Sequence, residues 1–81
     1  MKVRVAFYSY FKDLTGCPEI EEDLPSGARI SDLIERLAQR FPNWAPARGC
    51  ALIAVGVEYQ KAGYILQERD EVSFFPPVQG G

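Results

Sequence analysis

Ser31-Asp32-Leu33-Ile34-Glu35-Arg36-Leu37-Ala38-Gln39-Arg40-Phe41-Pro42 is the stretch on which the fold turns. Leu33, Ile34, Leu37, Ala38 and Phe41 recur at helical spacing, with Asp32, Glu35, Arg36, Gln39 and Arg40 on the other side. Ser31 is the expected N-cap, and Asp32 and Glu35 sit near the positive end of the helix dipole. Pro42 disfavours helical geometry at Phe41, so the helix is expected to stop there. No other segment reads as a long amphipathic helix, so one helix must cover whatever sheet the rest of the chain makes.

The rest reads as short strands. Residues 2–9 alternate, with Val3, Val5 and Phe7 on one face and Lys2, Arg4, Ala6 and Tyr8 on the other. Phe11 to Leu14 reads as one helical turn closed by Gly16. Residues 18–24 set Ile20 and Leu24 among Glu19, Glu21, Glu22 and Asp23, which suits an edge strand with an acidic, solvated outer face. Pro25-Ser26-Gly27 signals a turn, and residues 42–50 read as loop. Leu52 to Val57 is a compact apolar strand, Gly56 starts a turn, and a short return follows around Tyr59. Residues 61–70 read as irregular, with Ile65 and Leu66 tucked under, and Glu71 to Phe75 is the last strand. One helix crossing a mixed sheet gives an α+β class, with a β-grasp (ubiquitin-like) arrangement as the leading option. The expected division is a domain over residues 1–76 and an extended tail over residues 77–81.

Composition narrows the function. The 81 residues carry a net charge of −2, 47% hydrophobic and 25% charged residues, which fits one small globular domain. No basic run offers a nucleic-acid footprint, and no apolar run reaches a membrane span. Lys2 and Arg4 interrupt any signal-peptide core, so a cytoplasmic location is expected. The chain has no histidine, and Cys17 and Cys50 form no CxxC pair. A zinc site is therefore not expected; the acidic cluster reads as a solvated edge and both cysteines as reduced thiols. Arg36, Arg40 and Arg48 read as surface charges, with contact to acidic residues of a partner as the lesser alternative. Lacking an activated nucleophile and a base, the chain is not expected to be an enzyme on its own.

The chemistry is concentrated at the C-terminus. Two glycines, Gly80 and Gly81, follow Val72-Ser73-Phe74-Phe75-Pro76-Pro77-Val78. Glycines there do nothing for a core, yet they suit a thin strand that must thread a channel and offer a carboxylate to another protein. Pro76 and Pro77 lack N–H groups, end strand pairing and stiffen the exit. By alternation Val72 and Phe74 face the core while Ser73 and Phe75 face out. Tyr8, Tyr59 and Phe75 are expected to form an aromatic partner-binding patch, against the plainer reading of scattered surface aromatics.

The run Asp70-Glu71-Val72-Ser73-Phe74-Phe75-Pro76-Pro77-Val78-Gln79-Gly80-Gly81 resembles the C-terminus of the MoaD/ThiS family of β-grasp sulfur carriers, which includes the small subunit of molybdopterin synthase. Val5-Ala6-Phe7-Tyr8-Ser9-Tyr10-Phe11-Lys12-Asp13-Leu14-Thr15-Gly16 is similar to that family's first strand and turn, as is Leu33 to Pro42 to its helix. The resemblance spans nearly the whole chain. Two positions depart from it: Gly56, where the family often has Asn, and Arg69, where it often has Gly. A non-glycine residue at 69 is strained if that turn needs a positive φ.

The resemblance implies a function. A ubiquitin-activating-type adenylyltransferase uses ATP to form an acyl-adenylate on Gly81, and a sulfur donor protein converts it to a thiocarboxylate. That sulfur then passes to a pterin precursor on the molybdopterin synthase large subunit, in a heterotetramer of two small and two large subunits, for molybdenum cofactor biosynthesis. Gly80, Val78, Pro77 and Pro76 serve tail threading, and no cofactor is stably bound. Alternatives are a carrier for thiamine or tRNA thiolation, a ubiquitin-like protein modifier, and a β-grasp interaction domain with no covalent role.

Overall fold

The computed structural model describes residues 1–77. In chain order the elements are β1 (Lys2–Phe7), α1 (Phe11–Thr15), β2 (Glu19–Asp23), α2 (Ile30–Arg40), a 3₁₀ helix (Ala45–Cys50), β3 (Leu52–Val55), β4 (Glu58–Tyr59) and β5 (Glu71–Phe75). The sheet runs β2-β1-β5-β3-β4. Its centre is the parallel pair of β1 and β5, and every other pairing is antiparallel. A mixed five-stranded sheet crossed by one main helix is the α+β, β-grasp arrangement.

The alternation in β1 holds: Val3, Val5 and Phe7 are buried. Helix α2 covers that face with Ile30, Leu33, Leu37 and Ala38. Each large aliphatic side chain so buried contributes about 1.5–3 kcal/mol. Leu24, Leu66, Val72 and Phe74 complete the core around Phe11 and Trp44.

Four expectations are corrected. Helix α2 starts at Ile30 behind Arg29, not behind a Ser31 cap. The segment before β5 supplies acceptors for its first turn: Ile30 N–H donates to Tyr64 O at 3.0 Å and Ser31 N–H to Ala62 O at 2.9 Å. With those orphan donors satisfied by backbone carbonyls, a serine hydroxyl is not needed. Asp32 Oδ2 accepts from Arg29 N–H at 2.8 Å. The C-terminal end is as expected, with Phe41 as the last cap before Pro42.

Residues 42–50 are not simply loop. Pro46 sits in the first turn of the 3₁₀ helix, where its missing N–H removes nothing. That turn holds Trp44 fully buried. Its indole meets Phe7, Phe11 and Phe74 edge-on, with centroids 6.0, 6.0 and 5.5 Å away. Sequence reasoning passed over Trp44, because helical or alternating periodicity does not mark a lone residue in a Pro/Gly-rich stretch.

Residue pair 65–66 splits. Leu66 is buried, as expected, but Ile65 is 45% exposed. Ile65 bridges to Arg29 and Leu66 N–H donates to Ala28 O, so this stretch is locally extended and its side chains alternate. Strand β2 is an acidic edge, but Glu22 is not solvated; it lies on the inward face with Ile20 and Leu24 and is 8% exposed. Arg40 Nη1 donates to Glu22 Oε2 at 2.7 Å, and Arg36 Nη1 to Asp23 O at 3.1 Å. These two arginines therefore tie α2 to β2. Arg48 fits the surface reading, its Nε 3.8 Å from Glu35 Oε1.

Both departures from the family pattern lie at left-handed backbone. Gly56 has φ +61° in the β3–β4 turn, a conformation that glycine adopts without strain. Arg69 has φ +67°, the strained case raised by the sequence, and its N–H donates to Lys2 O at 2.8 Å.

Candidate functional site at the end of the sheet

Side chains paired across neighbouring strands share a face. Val5 pairs with Val72, Phe7 with Phe74, and Phe74 with Ile53, all on the helix-covered face. Arg4 pairs with Glu71, Ala6 with Ser73, Ser73 with Ala54, Phe75 with Leu52 and Ala54 with Tyr59, all on the open face. That open face has two ends of different character.

One end is a ladder of charges. Lys2 Nζ lies 3.6 Å from Glu21 Oε1, and Arg4 pairs with Glu19. These partners are exposed, so water and salt screen them and their contribution to stability is small. The other end is apolar. Tyr8, 44% exposed, stacks on Phe75 with centroids 4.6 Å apart and planes 15° apart. Leu52, 40% exposed, is the register partner of Phe75 on the opposite side. Small residues, Ala6, Ser73 and Ala54, floor the face between.

Because β1 and β5 are parallel, both run out at this apolar end. Tyr8 N–H extends their ladder by one bond to Phe74 O at 3.1 Å. Pro76 and Pro77 follow Phe75 directly and are half-buried. The structure thus brings together Tyr8, Phe75, Pro76 and Pro77. Tyr59 shares the face, but on edge strand β4 it makes no aromatic pair among the described residues. Val78, Gly80 and Gly81, expected to thread and react, lie outside the described residues. Leu52 was missed in the sequence because Leu52 to Val57 was read as uniformly apolar. Counting alternation back from the turn at Gly56 assigns it to the open face.

Away from this end, both thiols are free; Cys17 is half-buried and Cys50 exposed. Among the described residues, no three of Cys, Asp and Glu converge as a metal cage. No helix among them is long and apolar enough to cross a membrane. Tyr64, half-buried, has its hydroxyl held above its ordinary pKa, by desolvation first and then by Asp70, whose Oδ2 accepts its hydrogen bond at 3.3 Å.

The model of the ThiS family matches residues 5–81. The chain belongs to the ThiS family. Among ThiS-like relatives, a molybdopterin synthase sulfur carrier subunit of Arabidopsis thaliana is 31% identical over 81 residues, covering 100% of this chain and 84% of the relative. The protein of that name from Escherichia coli is 32% identical over 83 residues, covering 98% of this chain and 99% of the relative. A solved structure from Pyrococcus furiosus, described as subunit 1 of a molybdopterin converting factor, superposes with TM-score 0.88 at 34% identity, covering 96% of this chain and 99% of that one. The ThiS match runs to residue 81 and so includes Gly80 and Gly81.

Proposed function

We propose that this chain is the sulfur-carrier subunit of a molybdopterin synthase and that Gly81 carries the sulfur. The observation that supports the reading most is one placement. The two central strands finish at the same end, at an exposed aromatic pair, and two prolines follow it immediately. The ThiS match through residue 81 and the names borne by the relatives support it independently.

The chemistry follows from the carboxyl group. With a pKa of about 3.5 it is anionic at neutral pH and a poor electrophile. A partner of the ubiquitin-activating type therefore adenylates it: a carboxylate oxygen attacks the α-phosphorus of ATP and pyrophosphate leaves. Sulfur at the sulfide level, delivered by a donor protein, then attacks the activated carbonyl, and AMP leaves with its bonding electrons. The thiocarboxylate so formed gives its sulfur to a pterin precursor on the large subunit. This chain supplies no base and no nucleophile other than its own terminus; it is a cosubstrate of its partners, not a catalyst. Its contributions are the side-chain-free Gly80 and Gly81, the threading residues Pro76, Pro77 and Val78, and a docking surface at Tyr8 and Phe75. Leu52 extends that surface, and Tyr59 borders it. Residues 1–76 act as the folded body and residues 77–81 as the reactive tail.

Intact mass spectrometry of the protein from its own cell tests this. Replacement of one oxygen by sulfur, mapped to Gly81, is the expected result, and it also establishes Gly81 as the mature terminus. Adducts joined to lysines of other proteins point instead to a modifier. A tail that stays unmodified in cells actively making the cofactor overturns the reading.

A further inference from the structure

We infer that Tyr8 is a positioning residue for the C-terminal stem: by stacking on Phe75 it fixes the direction in which Phe75-Pro76-Pro77 leaves the sheet. The functional half of this inference rests on the sulfur-carrier reading; the structural half rests on geometry alone.

The argument starts from what holds Phe75. On the β1 side the last ladder bond is Tyr8 N–H to Phe74 O. Directly after it Ser9 adopts φ +56°, a left-handed conformation that is strained for a residue with a Cβ, and the chain turns into α1. On the β3 side Leu52, the partner of Phe75, is the first residue of its strand. Pro76 and Pro77 have no N–H to donate to either neighbour. Phe75 is thus the last residue that the sheet grips, and its backbone is paired only on the β3 side, with Leu52. On the β1 side it is held by its ring, which lies 4.6 Å from that of Tyr8 with the planes 15° apart. The strained turn at Ser9 is what ends β1 just where Tyr8 can lie over Phe75.

Tyr8 is 44% exposed, and its stack on Phe75 is already formed within the single chain. A stem already pointing one way loses fewer conformers on docking, and its reactive end is presented in a narrower range of geometries. Among the described residues the Tyr8 hydroxyl makes no hydrogen bond, so the ring alone carries this role.

The test compares the wild-type chain with Tyr8→Ala and Tyr8→Phe by two measurements. The first is ¹⁵N relaxation of Phe75 in the free protein. Its order parameter is expected to fall from the rigid range of about 0.85 toward about 0.6 in Tyr8→Ala, and to return in Tyr8→Phe. The second is single-turnover sulfur transfer from the thiocarboxylated carrier at saturating large subunit. The saturated rate is expected to drop about three- to tenfold in Tyr8→Ala, the size of one aromatic stack, and to recover in Tyr8→Phe. A residue that only docks would raise the concentration of large subunit needed and leave both the saturated rate and the order of Phe75 unchanged; that result overturns the inference. Should Tyr8→Ala not fold, Tyr8→Ile keeps a strand-forming side chain without a ring and is read the same way. If the wild-type chain accepts no sulfur, the carrier reading fails, while the relaxation measurement still decides whether Tyr8 orders the stem.

Discussion

Replacing Trp44 by phenylalanine is expected to cost far less than its burial suggests. The indole is fully buried against Phe7, Phe11 and Phe74, which makes it the largest single piece of the core. Truncation to alanine should therefore cost about 3–5 kcal/mol. The whole domain is expected to hold only about 4–12 kcal/mol at about 0.05–0.15 kcal/mol per residue, so Trp44→Ala sits near the edge of folding. Phenylalanine keeps one ring in place. It leaves a void of roughly 30–40 Å³, worth about 1 kcal/mol, and forfeits about another 1 kcal/mol of apolar transfer. Against this stands the indole N–H, which is buried and finds no hydrogen-bond partner among the described residues. Removing an unsatisfied buried donor returns about 1–3 kcal/mol. The terms nearly cancel, and Trp44→Phe should lose at most about 1.5 kcal/mol. Urea denaturation followed by far-ultraviolet circular dichroism suits the comparison, because the chain has one tryptophan and its fluorescence disappears in both variants. A loss of about 3 kcal/mol or more in Trp44→Phe would show that the indole N–H is satisfied after all, and the cancellation argument fails.

Other outcomes are expected with it. Phe75→Ala should weaken binding of the large subunit about 10- to 100-fold by calorimetry, since a ring worth about 1.5–3 kcal/mol no longer docks; unchanged affinity removes Phe75 from the interface. Arg69→Gly should raise the melting temperature by several degrees, because φ +67° costs a residue with a Cβ about 1 kcal/mol, which in a domain of this size is worth about 4–8 °C. One alanine added after Gly81 should leave the melting temperature unchanged and abolish thiocarboxylate formation; an extended, uncleaved chain that still receives sulfur refutes the tail's role. Tyr64 has a folded pKa above its unfolded one, so its stabilising contribution is complete below about pH 10 and is lost as pH rises through the higher folded value. Tyr64→Phe should therefore flatten the decline in stability at alkaline pH, as read by denaturation at matched ionic strength.

What was legible in the sequence is what repeats. Val3, Val5 and Phe7 announce β1 by a period of two, and Leu33, Leu37 and Ala38 announce α2 by a period near 3.6. The end of α2 was legible because Pro42 acts on its immediate neighbour, whereas its start was not, because the acceptors come from Ala62 and Tyr64 across the fold. Glu22 misled for the same reason: its partner Arg40 is remote in sequence, and composition alone puts a glutamate in water. Of the three aromatic residues expected to form a patch, two meet. Phe75 and Tyr8 meet because alternation and a parallel β1–β5 pair bring them together, but Tyr59 stands apart on β4, where no periodicity reports distance across a sheet.

The side-by-side placement of β1 and β5 carries a consequence for synthesis. A polypeptide emerging from the ribosome makes β1 long before β5, so that strand waits for a neighbour that is synthesised much later. Until then the hydrophobic stripe of α2 has only half a sheet to rest on, and the contacts that complete the domain are among the most distant the chain can make. A molecule terminated before β5 therefore lacks both the fold and the end proposed to carry sulfur, so no well-folded but sulfur-incompetent decoy arises from such truncation.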